Sequence, residues 1–188
     1  WVTPRGGEGS YCYIADSGKA YYFSIQNGKT MRAKLDGSGN IDSFARIDPI
    51  GGWGYQFVNP FVVDPNSNNV MYMAAGKSLW RNNNLAGIPY ASNWDSISTN
   101  WYRFPDSAST LGVNITAIAV CKTPANRVYF GTSNRLVFRV DSANTGNHIF
   151  KNITSSTRYV LFPSGGNVSC IAVDPTNGDH LMGVFSNY

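Results

Sequence analysis

Phe61-Val62-Val63-Asp64-Pro65, then Val70-Met71-Tyr72-Met73, then Leu79-Trp80-Arg81, are three short apolar runs broken by turn residues. Upstream the same order appears as Cys12-Tyr13-Ile14-Ala15-Asp16, Tyr21-Tyr22-Phe23 and Thr30-Met31-Arg32. Downstream it appears as Ile118-Ala119-Val120-Cys121 with Pro124, Val128-Tyr129-Phe130-Gly131 and Val137-Phe138-Arg139. A fourth copy opens with Ile171-Ala172-Val173-Asp174-Pro175 and His180-Leu181-Met182-Gly183-Val184. The turn anchors Asp16, Asp64, Cys121 and Asp174 lie 48, 57 and 53 residues apart.

Each copy has one physical reading. A short run rich in β-branched and aromatic residues fits a strand buried on both faces. The Asp-Pro-Asn type turn after it stops pairing and reverses the chain. A second strand ends near Gly or Ser, and a third carries a bulky apolar residue followed by Arg. More polar strands over 43–47, 101–104 and 148–153 close the units. Four antiparallel strands in about 50 residues is the size of one propeller blade. The fold expected is all-β, a partial β-propeller of about three and a half four-stranded antiparallel blades, from a propeller of seven blades or more. The blades are placed at 1–50, 51–110, 111–163 and 164–188, the last incomplete. A β-sandwich with accidental similarity is the competing fold. The run begins at Trp1 and stops at Tyr188 within a strand-like stretch. Both ends read as cuts, so the expected partner is the remainder of the propeller or another chain that completes it.

Composition agrees. The 188 residues are 43% hydrophobic, 14% aromatic and only 14% charged, with Gly 19 and Pro 9. Low charge with many aromatics and turn formers fits strands better than helices. The net charge of +4 comes from basic residues spread singly, which does not fit a phosphate-tracking surface, so no nucleic-acid partner is expected. No apolar stretch has the length of a membrane span. Three cysteines form no disulfide framework. Cys121 and Cys170 lie in apolar runs and read as buried free thiols, with one bridge between two of the three cysteines as the alternative.

The stretch Ile118-Ala119-Val120, Val128-Tyr129-Phe130-Gly131-Thr132, Phe138-Arg139-Val140-Asp141 resembles the repeat of bacterial sialidases, sortilin-type receptors and xyloglucan-cleaving glycoside hydrolases. Those blades often carry an Asp-box, Ser-x-Asp-x-Gly-x-x-Trp, between the third and fourth strands. Here the turn Ser142-Ala143-Asn144-Thr145-Gly146-Asn147-His148-Ile149 keeps Ser142 and Gly146, but Asn144 replaces Asp and Ile149 replaces Trp. The stretches Asn59-Pro60-Phe61-Val62-Val63-Asp64-Pro65, Lys77-Ser78-Leu79-Trp80-Arg81-Asn82 and Val168 to Pro175 resemble large secreted Bacteroidota proteins, often exported by the type IX system. That resemblance implies a secreted or cell-surface location, not an activity. Asp95-Ser96-Ile97, Asp106-Ser107-Ala108 and Asp141-Ser142-Ala143 fit the short O-glycosylation signal of that phylum.

Catalytic residues are sought and not found. A sialidase needs an arginine cluster, a Tyr/Glu pair and an acid; the chain has one glutamate, Glu8. Arg32, Arg81 and Arg139 recur once per blade, which fits structural pairing with a neighbouring blade or a turn carbonyl. Other glycosidases need two carboxylates facing each other across the bond. Asp16, Asp64 and Asp174 instead occupy the repeated turn, where a carboxylate accepts backbone hydrogen bonds. His148 and His180 have no ligand-spaced companions, so no metal or other cofactor is expected. The candidate ligand-binding residues are Trp53 and Tyr55, in the Gly-rich stretch 51–57, and Trp94, in the longest loop, 82–100. Exposed aromatic rings there would stack on a sugar or contact a protein. The function expected is a non-catalytic binding or scaffold module. The alternatives are part of a glycoside hydrolase with a divided active site, or a subunit of an extracellular assembly.

Overall fold

The structure is a computed structural model in which residues 6–105, 113–154 and 166–186 are described. The triplet Asp106-Ser107-Ala108 and the two chain ends lie outside the described residues. Four antiparallel sheets follow one another along the chain. The first holds β1 (Gly9–Ala15), β2 (Ala20–Ile25), β3 (Thr30–Leu35) and β4 (Ile41–Arg46). The second holds β5 (Phe61–Asp64), β6 (Ser67–Ala75), β7 (Ser78–Asn82) and β8 (Trp101–Arg103). The third holds β9 (Ile115–Val120), β10 (Val128–Thr132), β11 (Val137–Asp141) and β12 (Ile149–Asn152). In the fourth, β13 (Asn167–Val173) and β14 (Leu181–Ser186) are described. Within each sheet the strands lie in chain order, the arrangement of propeller blades.

Alternation along the strands divides each sheet into two faces. One face, called the back, carries large apolar pairs: Val63 opposite Met71 in the second sheet, Ile118 opposite Phe130 in the third, Val173 opposite Leu181 in the fourth. The other, the front, pairs a small or β-branched residue with a long one: Val62 with Tyr72, Ala119 with Tyr129, Ala172 with Met182. The back of each sheet covers the front of the one before it. Phe61, Val63, Met71 and Met73 pack on Ala15, Tyr22 and Ile47. Ile115, Val128 and Phe130 pack on Tyr72, Ala74 and Phe104. Val168 and Ile171 pack on Ala117 and Tyr129. Each large side chain buried this way contributes about 1.5–3 kcal/mol relative to exposure, so the three interfaces hold the arc together.

First strands of successive sheets touch, and Thr116 Oγ1 donates to Val168 O at 2.6 Å. Burial raises the Tyr11 hydroxyl pKa, and the Cys170 thiol on β13 raises it further. Cys170 is exposed, not buried as its apolar run implied, because it lies on the front of the fourth sheet, which nothing described covers.

The recurring third-strand arginine links one sheet to the next. In each full sheet it sits opposite a second-strand tyrosine: Tyr22–Arg32, Tyr72–Arg81 and Tyr129–Arg139. Arg32 Nη1 donates to Ile88 O at 2.6 Å, beyond the third strand of the second sheet. Arg81 Nη1 donates to Ala143 O and Thr145 O, in the same place in the third sheet. Arg139 instead pairs with Asp141 at 2.9 Å and reaches Asp179 at 3.6 Å. The guanidiniums of Arg32 and Arg81 also lie over Tyr90 and Tyr102 at 4.3 and 4.8 Å. Burial without a carboxylate partner is tolerated because turn carbonyls and ring faces replace the lost water.

Loop 83–100 does not project as a free arm. Its segment 92–97 runs parallel to β4: Ser92 N donates to Phe44 O at 2.9 Å, Arg46 N to Asn93 O at 3.2 Å, and Ile97 N to Asp48 O at 3.1 Å. Ile50 N then donates to Ile97 O at 2.7 Å. The second sheet thereby lends a fifth, irregular strand to the first.

Candidate functional site

The link between β4 and β5, residues 47–60, is fixed at both ends. Asp48, 1% exposed, accepts from Arg46 Nε at 2.7 Å, Arg46 Nη2 at 2.8 Å, Ser96 Oγ at 2.9 Å and Thr30 N at 3.2 Å. Four donors on one buried carboxylate anchor the link, β3 and loop 83–100 at one point, and the carboxylate raises the Arg46 pKa. At the far end Asn59 Nδ2 donates to Ala74 O at 2.7 Å and its Oδ1 accepts from Gln56 N at 3.1 Å. Gln56 Nε2 reaches Ile115 O of the third sheet at 2.6 Å, and Phe57 O accepts from Asn27 N at 3.1 Å. The link is therefore held by all three full sheets.

Between these anchors the chain turns its apolar side chains outward. Ile50, Trp53, Phe57 and Val58 are each more than half exposed. Lys77 Nζ, in the β6–β7 turn, lies 5.7 Å from the centre of the Trp53 ring. The backbone here needs glycine: Gly54 has φ +72 and rests on Gly76, itself at φ +55. Tyr55 points the other way. Its ring occupies the space a Cβ would take on Gly28 and Gly52, and it packs against the core between the first two sheets. Burial raises its hydroxyl pKa, with Asp48 adding to the shift. Trp94 is 37% exposed and meets Phe44 edge-on at 6.0 Å. It thus lies against β4, while Trp53 lies beside the β6–β7 turn. The three aromatics expected to bind do not form one platform: Trp53 faces out, Tyr55 packs inward, Trp94 leans on the first sheet. Ile50 and Val58 join the exposed rim without having been singled out. Apolar residues outside any alternating run were the available signal.

The turn residues lie apart from this rim. Asp64, 2% exposed, accepts from Asn66 N and Nδ2 at 2.8 and 3.1 Å. Asp174 accepts from Thr176 N and Oγ1, both at 2.7 Å, and from Asn177 N at 3.3 Å. These bonds lower its pKa, the Thr176 hydroxyl most. Asp16, at φ +50, instead accepts from the Asn68 side chain of the next sheet at 3.2 Å. In the degenerate box, Ser142 O accepts from Thr145 N and Oγ1, both at 3.1 Å. Asn144 O accepts from Asn83 Nδ2 at 3.3 Å, and Gly146 lies open to solvent.

A polar cleft of about 270 Å³ opens between the first two sheets, lined by Asp16, Tyr22, Arg32, Ser67, Asn68 and Asn69. Its floor is the structural arginine already bonded to Ile88 O. Asp141 and Asp179 both pair with Arg127, at 2.6 and 2.7 Å. Among the described residues no group of three His, Cys, Asp or Glu could hold a metal ion, and no helix is long and apolar enough to cross a membrane. His148 packs against Phe104 at 4.8 Å and Phe150 at 5.1 Å. The Cys121 thiol is pushed up to about 11 by burial.

No family model matches the chain, and no curated protein matches it. The structure is similar to the WD40 domain of Neurospora crassa Pan2, with a TM-score of 0.55 at 11% identity. The likeness covers 95% of this chain and 44% of that one, so this chain spans less than half of that length. At such identity it shows the fold alone: a β-propeller whose arc of sheets is not closed.

Proposed function

We propose that the chain is a non-catalytic scaffold module of propeller type that binds a protein partner through the rim of link 47–60. The carrying observation is that Ile50, Trp53, Phe57 and Val58 stand exposed on a segment tied to three sheets. A rigid link loses little entropy on binding, and aromatic anchors supply most interface energy. Single exposed apolar residues are ordinary, whereas a clustered set is a contact surface. Lys77 beside Trp53 adds a cation at the edge, which suits an aromatic and acidic partner segment. The fold neighbour supports a scaffold role by fold analogy only. A secreted or surface location, an Asp-box ancestry and a Bacteroidota origin are part of the proposal through the sequence resemblance. A peptide-display selection against the chain tests the binding reading. Trp53→Ala and Phe57→Ala should each cost at least about tenfold in affinity for selected peptides, while Trp94→Ala leaves it unchanged. Peptides insensitive to both rim substitutions, or glycans bound and hydrolysed in their place, would overturn it.

A further inference from the structure

The carboxylates of the chain are sorted towards one end of its sheets, and the exposed rim lies at the other. The turns from second to third strands lie at the rim end, and each carries a cation: Lys29 in turn 26–29, Lys77 in turn 76–77, Arg135 in turn 133–136. Hydrogen bonds and one close contact set these turns in a row with link 47–60. Asn27 N donates to Phe57 O at 3.1 Å, Gly54 rests on Gly76, Ile115 N donates to Gly76 O at 2.8 Å, and Ser133 N to Asn114 O at 2.9 Å. Arg103 joins the row at the end of β8, where its Nε donates to Ser78 Oγ at 3.1 Å. Among the described residues the carboxylates at this end are Glu8, whose backbone N–H donates to Gln26 Oε1 at 3.0 Å, and Asp48, buried and neutralised by Arg46. Asp95 lies further back along β4, in segment 92–97. At the far end Asp16, Asp36, Asp64, Asp141, Asp174 and Asp179 occupy the turns or the strand ends that enter them. Cations mix with carboxylates there, as where Arg127 and Arg139 meet Asp141 and Asp179.

We propose that the partner at the rim is an acidic, extended peptide segment that crosses neighbouring sheets, its carboxylates met by Lys29, Lys77 and Arg103. This rests on the reading of link 47–60 as the contact rim and names the chemistry of what binds there. The link touches turn 26–29 through Phe57 and turn 76–77 through Gly54. Its exposed Trp53 and Phe57 are therefore set between the two lysines, with Lys77 Nζ 5.7 Å from the Trp53 ring. A segment that fits must offer apolar groups and carboxylates together. Packed sheets lie about 10 Å apart, and an extended chain advances about 3.3 Å per residue. Carboxylates about three residues apart would thus meet cations on successive sheets, with the residues between them over the rim. An end poor in carboxylates repels no anion, so an acidic segment is steered to it and away from the far end.

Fluorescence anisotropy tests this with a short labelled peptide carrying glutamate at about every third position and phenylalanine between, against a twin carrying glutamine. Each exposed ion pair contributes a few-fold in affinity, so the glutamate peptide should bind roughly tenfold tighter at low salt. The gap should come from the association rate and should narrow as the Debye length falls from about 30 Å at 0.01 M to about 8 Å at 0.15 M salt. Lys29→Gln and Lys77→Gln should each remove about threefold of the gap and leave the glutamine twin unchanged. Trp53→Ala should weaken both peptides alike. Equal binding of the two peptides, still weakened by Trp53→Ala, would overturn the inference and leave the rim reading standing. A glutamate preference indifferent to Trp53→Ala, or no binding of either peptide, would remove both. Capture on phosphatidylserine vesicles that the glutamate peptide does not compete would assign this end to a lipid surface and overturn the inference as well.

Discussion

Replacing Arg81 by Met separates the arginine that holds two sheets together from the one that does not. Met keeps the apolar stem under Tyr102 and Phe104 and removes the guanidinium. Arg81 is 7% exposed and donates to Ala143 O and Thr145 O. Hydrogen bonds to a charged group contribute roughly 1.5–3 kcal/mol each, and stacking on Tyr102 adds about 0.5–1 kcal/mol. Against this, removing a buried cation returns part of its desolvation cost, visible in the lowered Arg81 pKa. The net expectation is a loss of about 3 kcal/mol, with the Ala143 carbonyl left buried and unpaired. Arg139 occupies the same register, yet its side chain is 24% exposed and its partners are Asp141 and Asp179. Arg139→Met should cost at most about 1 kcal/mol. Arg32→Met, with a single carbonyl and Tyr90 as partners, falls between. Urea denaturation followed by tryptophan fluorescence reads all three, with unchanged slope showing that only stability moved. An Arg81→Met loss below about 1 kcal/mol, or an Arg139→Met loss equal to it, would refute the assignment of these arginines as links between sheets.

Asp48→Asn should destabilise by about 3 kcal/mol, since it leaves Arg46 without its buried counter-charge; the same urea series measures it, and hydrogen exchange should rise at Ser92 and Ile97. Thiol labelling of the native chain should modify Cys12 and Cys170 quickly and Cys121 only after unfolding, because only Cys121 is buried and its thiol is held protonated. The raised Cys121 pKa adds stability that is full below the unfolded thiol value near 9.0 and is lost as pH rises towards about 11, so Cys121→Ala should flatten the alkaline limb of the stability profile. Asp174 behaves with the opposite sign: its depressed pKa adds stability above the ordinary carboxylate value, lost as pH falls through the folded one. Asp174→Asn should therefore weaken the acid dependence of the Thr176 amide shift in an NMR titration.

The strands, their order and the blade-like repeat were legible because alternation and turn residues are local signals. The structural part played by Arg32 and Arg81 was legible because it recurs once per repeat. What each arginine bonds to was not, since the acceptors are main-chain carbonyls about 60 residues away and carry no sequence mark. The docking of loop 83–100 on β4 was not legible for the same reason: its pairing uses backbone groups and a single carboxylate, Asp48. Tyr55 and Trp53 look alike two residues apart, and only the empty space over Gly28 and Gly52 decides which turns inward. Cys170 has the sequence of a core residue, yet its apolar run does not record which of its residues lie on the uncovered front of the fourth sheet.

Segment 92–97 on β4 also sets the order in which the arc comes apart. It gives the first two sheets a shared backbone ladder in addition to shared side chains, whereas the described joins between the third and fourth sheets are side-chain packing and scattered bonds such as Thr116 to Val168 and Tyr129 to Gly178. Cooperative units in proteins follow such differences in connection. The arc should therefore fray from the fourth sheet inward, and the first two sheets should persist as a single unit after the other two have opened.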